Sequence, residues 1–286
     1  MADSQILINP SHVSASDRSI QYGDACFTTM YAEDGKILLL PAHIARLQAA
    51  CSALSIAFSD WLLLQTELAK LASEIENPRV IKIVLSRGSG GRGYQPPVLQ
   101  QTLCIISTHL ANPILPIVCV ERIGLSKVEL QKEQCFGGIK HNNRLPQVLA
   151  RQQNMSIALD KGQENELNIN NEDVLMCNEY GHVIEASSAN IFYEIDGVWY
   201  TPPMDTYGVK GIMRDAWMSN LFQRGIIVNQ NYHHQSMLAH VQSVLLTNAV
   251  RGVRPVHELR VGCQVYQLET HKHLSMIDEF ITQAIE

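Results

Sequence analysis

Phe136-Gly-Gly-Ile-Lys-His-Asn-Asn-Arg144 sets a single lysine, Lys140, just behind a Gly-Gly pair and just ahead of a helix-like run from Leu145 to Leu159. Gly137 and Gly138 remove side-chain bulk and free the backbone to turn tightly. Asn142 and Asn143 suit a helix cap, and Pro146 suits a first helical turn. Lys140 is therefore held on short, shaped backbone, as an amine that attacks a carbonyl carbon must be. Such an amine is a nucleophile at neutral pH only with a lowered pKa or when already tied up as a Schiff base. A lysine in a Gly-rich loop is more often a solvated surface group, so its partners must be sought elsewhere in the chain.

Upstream, Gln5 to Asn9 reads as a strand, and Cys26 to Ala32 with Lys36 to Leu40 flank Asp34-Gly35, a hairpin signal. Pro41 opens a helix with Ile44, Leu47, Cys51 and Leu54 at helical spacing, and Arg46 lies off that stripe. A second helix is expected over Trp61 to Ile75, then strands over Val80 to Ser86 and Thr102 to Thr108. Strands, two helices, then strands make an α+β pattern, without the regular alternation of a doubly wound sheet. Ala-Asn-Pro-Ile-Leu-Pro, ending at Pro116, is the best linker candidate. The domain reading is 1–110, a linker at 111–120, and 121–286. Downstream we expect a strand near Ile117 to Val120, an exposed polar loop from Lys161 to Asp173, and strands around turns at Tyr180-Gly181 and Asp196-Gly197. A helix over Met213 to Gln223, strands at Ile226 to Asn229 and Ser243 to Thr247, a short strand pair at Val253 to His257 and Gln264 to Gln267, and a last helix over Leu268 to Ile285 follow.

The 286 residues are 46% apolar and 17% charged, the composition of a folded chain. A net charge of -6 argues against general nucleic-acid binding, which would leave a basic footprint. The 7 cysteines are odd in number and irregularly spaced, without a Cys-x-x-Cys pair, which fits free thiols in a reducing compartment. No secretory signal is read at Met1-Ala-Asp-Ser-Gln5, and no apolar run approaches the ~20 residues of a membrane span. The expectation is a cytoplasmic protein acting on a small molecule, with no membrane or nucleic-acid partner. The histidines lack metal-ligand spacing, and no metal is expected.

Gly88 to Gly93 is formally G-x-G-x-x-G. A dinucleotide site needs a helix to start there, and Pro96-Pro97 forbids it; a Walker loop fails because Tyr94 stands where its lysine should be. What remains is a loop with Arg87, Arg92 and Tyr94, readable as a lid offering guanidinium groups to carboxylates or as a solvated surface loop. Gly208-Val-Lys-Gly-Ile-Met-Arg-Asp215 runs a glycine turn into a helix, whose N-terminal amides and dipole favour an anion. Glu185 sits among small residues at a strand end, where burial demands a cationic partner. Thr247 and Asn248 end an apolar strand, with donors that could cap an anion.

A lysine, a carboxylate and an anion site together suit pyridoxal 5′-phosphate. Their order resembles the fold-type IV pyridoxal-phosphate enzymes, the branched-chain and D-amino acid aminotransferases and aminodeoxychorismate lyases. The likeness runs through Asp17-Arg-Ser-Ile-Gln-Tyr-Gly-Asp24, His43-Ile-Ala-Arg-Leu47, Lys140, Glu185-Ala-Ser-Ser-Ala-Asn-Ile-Phe192 and Gly211-Ile-Met-Arg214. The resemblance implies that Lys140 is the Schiff-base lysine, that Glu185 partners the pyridine nitrogen, and that Arg46 holds the phosphate with the amides of Ile212 and Met213 and with Asn248. It implies a smaller α+β N-terminal domain, a larger β-rich C-terminal domain and a homodimer. Gly23-Asp-Ala-Cys-Phe-Thr-Thr29, Ser86 to Tyr94 and Gly138 to Leu145 are most similar to the lyases, which release p-aminobenzoate and pyruvate from 4-amino-4-deoxychorismate. On that reading Lys140 and Thr28 are alternative proton donors to the leaving group, and Arg92, with Tyr94 or Arg87, meets substrate carboxylates. A transaminase of the same fold would use Lys140, Glu185 and Arg46 identically; a cofactor-free binding protein would be colourless.

Overall fold

The computed structural model describes residues 4–160 and 173–285; the loop expected over Lys161 to Asp173 otherwise lies outside them. The chain divides into two compact units. The first runs to Pro113 and takes back Ile139–Asn143, and the second comprises Ile114–Gly138 and Arg144–Ala284. The break falls inside the expected linker, and the lysine-bearing segment is returned to the first unit.

In the first unit, β1 (Gln5–Ile8), β2 (Ala25–Glu33), β3 (Lys36–Ile37), β4 (Arg79–Ser86) and β5 (Leu103–Leu110) form a sheet in the order β1-β5-β4-β2-β3. Asp34 and Gly35 both take positive φ (47° and 76°), as the tight β2–β3 hairpin requires. A short helix, α1 (Arg18–Tyr22), not expected from the sequence, is capped by Asp17, whose side chain accepts from Ser19 N. Helices α2 (Leu40–Leu54) and α3 (Trp61–Ser73) cover one sheet face. Alternate residues of β2, Cys26, Met30 and Ala32, meet Ile44, Leu47, Leu64 and Leu68 in that core, so the even-numbered side of β2 faces the helices.

The second unit contains β6 (Val120–Leu125), α4 (Leu145–Asp160), β7 (Asp173–Cys177), β8 (Val183–Ala186), β9 (Ala189–Ile195), β10 (Val198–Thr201), α5 (Ile212–Gln223), β11 (Val228–Gln230), β12 (Ser243–Asn248), β13 (Gly252–Val261), β14 (Gln264–Gln267) and α6 (Leu274–Ile285). Its sheet runs β11-β10-β9-β12-β13-β6-β7-β8, with β14 beside β13, and an added β8–β9 pairing closes the strands from β9 to β8 into a ring. Several expected boundaries shift. The strand placed at Ile117 to Val120 starts at Val120, because parallel pairing to β13 begins with Val120 opposite Val256. The last helix begins at Leu274, because β14 extends to Gln267 and a 3-10 turn occupies His271–His273.

The Gly-rich loop after β4 is tied down by buried charge. Arg87 donates to both Asp24 carboxylate oxygens (2.8 and 3.0 Å) and to the carbonyls of Leu54 and Ser55 at the end of α2. Arg18 donates to Asp24 and to the carbonyls of Gly90, Gly93, Tyr94 and Gln95. Burial alone would raise the Asp24 pKa, but the hydrogen bonds and charges of Arg87 and Arg18 outweigh it and hold the carboxyl below its ordinary 3.8. The ion pairs therefore stabilise the fold in full above that value and are lost only as pH falls through the lower, folded-state pKa. Asp24→Ala leaves two buried guanidinium groups unpaired; we expect a loss of roughly 3 kcal/mol or more in urea unfolding, with faster protease cleavage in the 88–97 loop.

Candidate functional site

Lys140 is positioned by backbone pairing. The Phe27 amide donates to the Lys140 carbonyl (2.9 Å) and the Asn142 amide to the Ala25 carbonyl (3.0 Å). His141 stands opposite Cys26 in an antiparallel bridge. By alternation, His141 shares the helix-covered side with Cys26, and Lys140 shares the other side with Phe27. The Lys140 Nζ sits 4.8 Å from the Phe27 ring centroid. Lys82, opposite Thr29 on β4, brings its Nζ to 4.9 Å from the same ring. Both ammonium groups thus meet one aromatic face system.

The same alternation separates Thr28 from Thr29. Thr28 is fully buried on the helix side. Its Oγ1 lies 2.6 Å from His43 Nδ1 and accepts from Arg46 Nη2. The expectation that Thr28 serves as a proton donor meets this geometry: its hydroxyl is committed to two α2 side chains. Thr29, one residue on, is half-buried on the Phe27 side. Neither Thr29 nor Lys82 stands out in the sequence by itself; the strand period, counted outward from buried Cys26, places Thr29 on the Phe27 side.

In the second unit, Glu185 on β8 is buried. Its Oε2 accepts from the Val209 amide (2.9 Å), and Gln147 Nε2 stands 3.5 Å from Oε1. Burial pushes the Arg144 pKa down while the charges of Glu185 and Glu133 oppose that shift, giving the carboxylate a cationic neighbour. Gly208 (φ 67°) passes so close that a Cβ would lie 2.8 Å from Glu185 Oε2. Asn190 donates to the Val209 carbonyl (2.8 Å), and a Cβ on Gly211 would lie 2.0 Å from its Oδ1. The segment 208–211 is thus threaded between Glu185 and Asn190 before α5 begins, and Gly211 gives α5 no side-chain cap. Asn190, also missed as a site residue, lies inside the quoted Ala-Asn-Ile-Phe stretch.

Thr247, across from Asn190, has a buried Oγ1 with no hydrogen-bond partner among the described residues. Asn248 donates to the Ser188 carbonyl (3.2 Å) and accepts from the amides of Val250 and Arg251. Its side chain is thus occupied in the turn, at the end of β12 where Asn248 pairs with Gly252. Of the loop residues, Arg87 is engaged internally as described, whereas Arg92 and Tyr94 are exposed. The backbone of Arg92 exchanges hydrogen bonds with Gln95, and the Tyr94 ring packs edge-on to Tyr22 at 5.5 Å. The described residues contain no group of His, Cys, Asp and Glu able to hold a metal ion.

The model of the amino-transferase class IV family matches residues 25–259, and the chain belongs to that family. It is 33% identical over 249 residues to an aminodeoxychorismate lyase of Vibrio harveyi, covering 86% of this chain and 87% of the relative. Against a putative branched-chain-amino-acid aminotransferase of Methanocaldococcus jannaschii it is 27% identical over 252 residues, covering 86% and 82%. The solved 4-amino-4-deoxychorismate lyase of Pseudomonas aeruginosa matches with a TM-score of 0.80 over 96% of each chain at 25% identity.

The tight approach at Gly211 gives a direct test. Gly211→Ala drives a methyl group into Asn190 and releases Val209 from its side-chain anchor. We expect the chain to stay folded while affinity for pyridoxal phosphate, titrated by absorbance, falls at least about tenfold, equivalent to one lost hydrogen-bonded anchor.

Proposed function

We propose that the protein is a pyridoxal-phosphate-dependent lyase that converts 4-amino-4-deoxychorismate to p-aminobenzoate and pyruvate in folate synthesis. The observation that carries this reading is the Lys140 amine, held over Phe27 by pairing to β2, in a chain 33% identical to an aminodeoxychorismate lyase. The residues fit the cofactor. The uncapped start of α5 offers the amides of Ile212 and Met213 to a phosphate, and the Thr247 hydroxyl, unpartnered among the described residues, suits a further oxygen, with Asn248 next to it in the chain. In the first unit Arg46 offers a half-buried guanidinium whose buried Nε lacks a partner among the described residues, and in the second the buried Glu185 carboxylate suits a protonated ring nitrogen.

When bound, the cofactor supplies an aldehyde carbon and an electron-accepting ring. Lys140 is the amine that holds the aldehyde; freed by the substrate's own amino group, it takes the proton from the substrate's C4 as a general base. The enolpyruvyl group leaves with a proton as pyruvate, and loss of the C4 proton and the C–O bond makes the product ring aromatic, with no oxidant or added water. Lys140 carries that proton in this reading, since the Thr28 hydroxyl is engaged by His43 and Arg46. Lys82 and the exposed Arg92 are the cations proposed to meet the substrate's carboxylates, with Tyr94 on the same loop; Arg87 serves as the anchor of that loop.

The proposal extends to a homodimer in the cytoplasm. All 7 cysteines are free, which supports a reducing compartment. No helix among the described residues is long and apolar enough to cross a membrane.

The test is product analysis with freshly made 4-amino-4-deoxychorismate. The expected result is equal release of p-aminobenzoate and pyruvate, reduced about a thousandfold or more in Lys140→Ala. A parallel reaction holds D-alanine or leucine with 2-oxoglutarate. Glutamate there, with silence in the first, would reassign the protein to the transaminases of its family.

A further inference from the structure

On the helix-covered side of β2, three side chains form a directed chain of hydrogen bonds. His43 and Arg46 lie three residues apart on α2 and so point from the same helix face. Arg46 Nη2 meets Thr28 Oγ1, and Thr28 Oγ1 lies 2.6 Å from His43 Nδ1. Arginine has donors only, so the Thr28 oxygen must accept from Arg46. The hydroxyl proton then needs an acceptor, and His43 Nδ1 is the atom at hydrogen-bond distance. A proton on Nδ1 would face both the Thr28 hydroxyl and Arg46 Nη2, which is 3.5 Å away, and would set donor against donor. Burial, with the charges of Arg46 and Lys140 nearby, pushes the His43 pKa down to about 3, so the ring is neutral. The tautomer is therefore Nε2–H. Two atoms of the cluster, His43 Nε2 and Arg46 Nε, are buried without a partner among the described residues.

We infer that His43 is a positioning residue: by accepting the Thr28 proton it locks the Thr28 oxygen as an acceptor for Arg46, and so aims the guanidinium, with its unpartnered Nε, at the phosphate of the cofactor. The inference rests on Arg46 being the phosphate arginine. Without an acceptor at His43, the Thr28 hydroxyl is free to rotate its proton toward Arg46, and the guanidinium loses its fixed direction. Buried donors left without partners are rare in folded chains, and an anionic oxygen is the ligand that would satisfy Arg46 Nε.

The readout is cofactor binding to apoprotein, comparing pyridoxal phosphate with pyridoxal, which has the same aldehyde and ring but no phosphate. For His43→Leu, the preference for the phosphorylated ligand should fall about tenfold, with pyridoxal affinity unchanged, as for one lost hydrogen bond. His43→Asn keeps an acceptor oxygen and should largely retain the preference. Thr28→Val should match His43→Leu and serves in its place if that variant fails to fold. Arg46→Gln is the control: if it leaves the preference intact, the assignment of Arg46 to the phosphate has failed. If Arg46→Gln abolishes the preference while His43→Leu and Thr28→Val keep it, or weaken both ligands equally, the positioning role is wrong. Nitrogen NMR of the histidine ring gives an independent check, with a proton on Nε2 expected and a proton on Nδ1 contradicting the inference.

Discussion

The backbone from Gly138 to Asn142 carries the constraint on which the rest depends. Gly138 donates to the Gly208 carbonyl and accepts from the Lys210 amide, so it is paired to the segment that runs into α5. A Cβ at Gly138 would lie 2.6 Å from the Met204 carbonyl, and one at Gly137 2.1 Å from that of Asp205; no side chain fits either place. Within the next residues the chain pairs with β2 of the first unit, through Lys140 and Asn142. Each end of this short segment is therefore fixed by backbone hydrogen bonds. A nucleophilic amine gains from such fixity because its direction is set before any ligand arrives.

Polar burial follows the same rule within each unit: charges are buried with partners. Asp24 holds Arg18 and Arg87, and Glu185 accepts from Val209 and neighbours Arg144. Buried side-chain atoms without partners among the described residues include Arg46 Nε and His43 Nε2 in the first unit and Thr247 Oγ1 in the second. Unsatisfied buried groups cost free energy, so each of these atoms is one that a bound ligand could satisfy. The same physics explains why Arg87 and Arg92, five residues apart in one loop, have different fates. Arg87 lies where the end of α2 presents bare carbonyls, and Arg92 lies on the exposed turn closed by Gln95.

Much of this was legible in the sequence. Asp34-Gly35 and Asp196-Gly197 marked hairpins because positive φ at both positions suits few other pairs. Helical periodicity marked α2, and glycine spacing around Lys140 and Gly208 marked the tight approaches. What was hidden was parity and partnership. Thr28 and Thr29 are chemically alike, and only the side of β2 that α2 covers tells them apart. Lys82 became a neighbour of Lys140 through strand register, which depends on pairs far apart in the chain. The short α1 helix was missed because its role is to place Asp17 and Arg18 against the Gly-rich loop, a contact no local pattern announces.

The central claim is that Lys140, and no other amine, bonds the aldehyde of the cofactor. Borohydride reduction of the pyridoxal-phosphate-loaded protein fixes that bond, and peptide mass spectrometry then locates it. The account predicts the reduced adduct on the peptide containing Lys140. An adduct on Lys82, which shares the Phe27 ring, or no adduct at all in a protein that binds the cofactor, would contradict it.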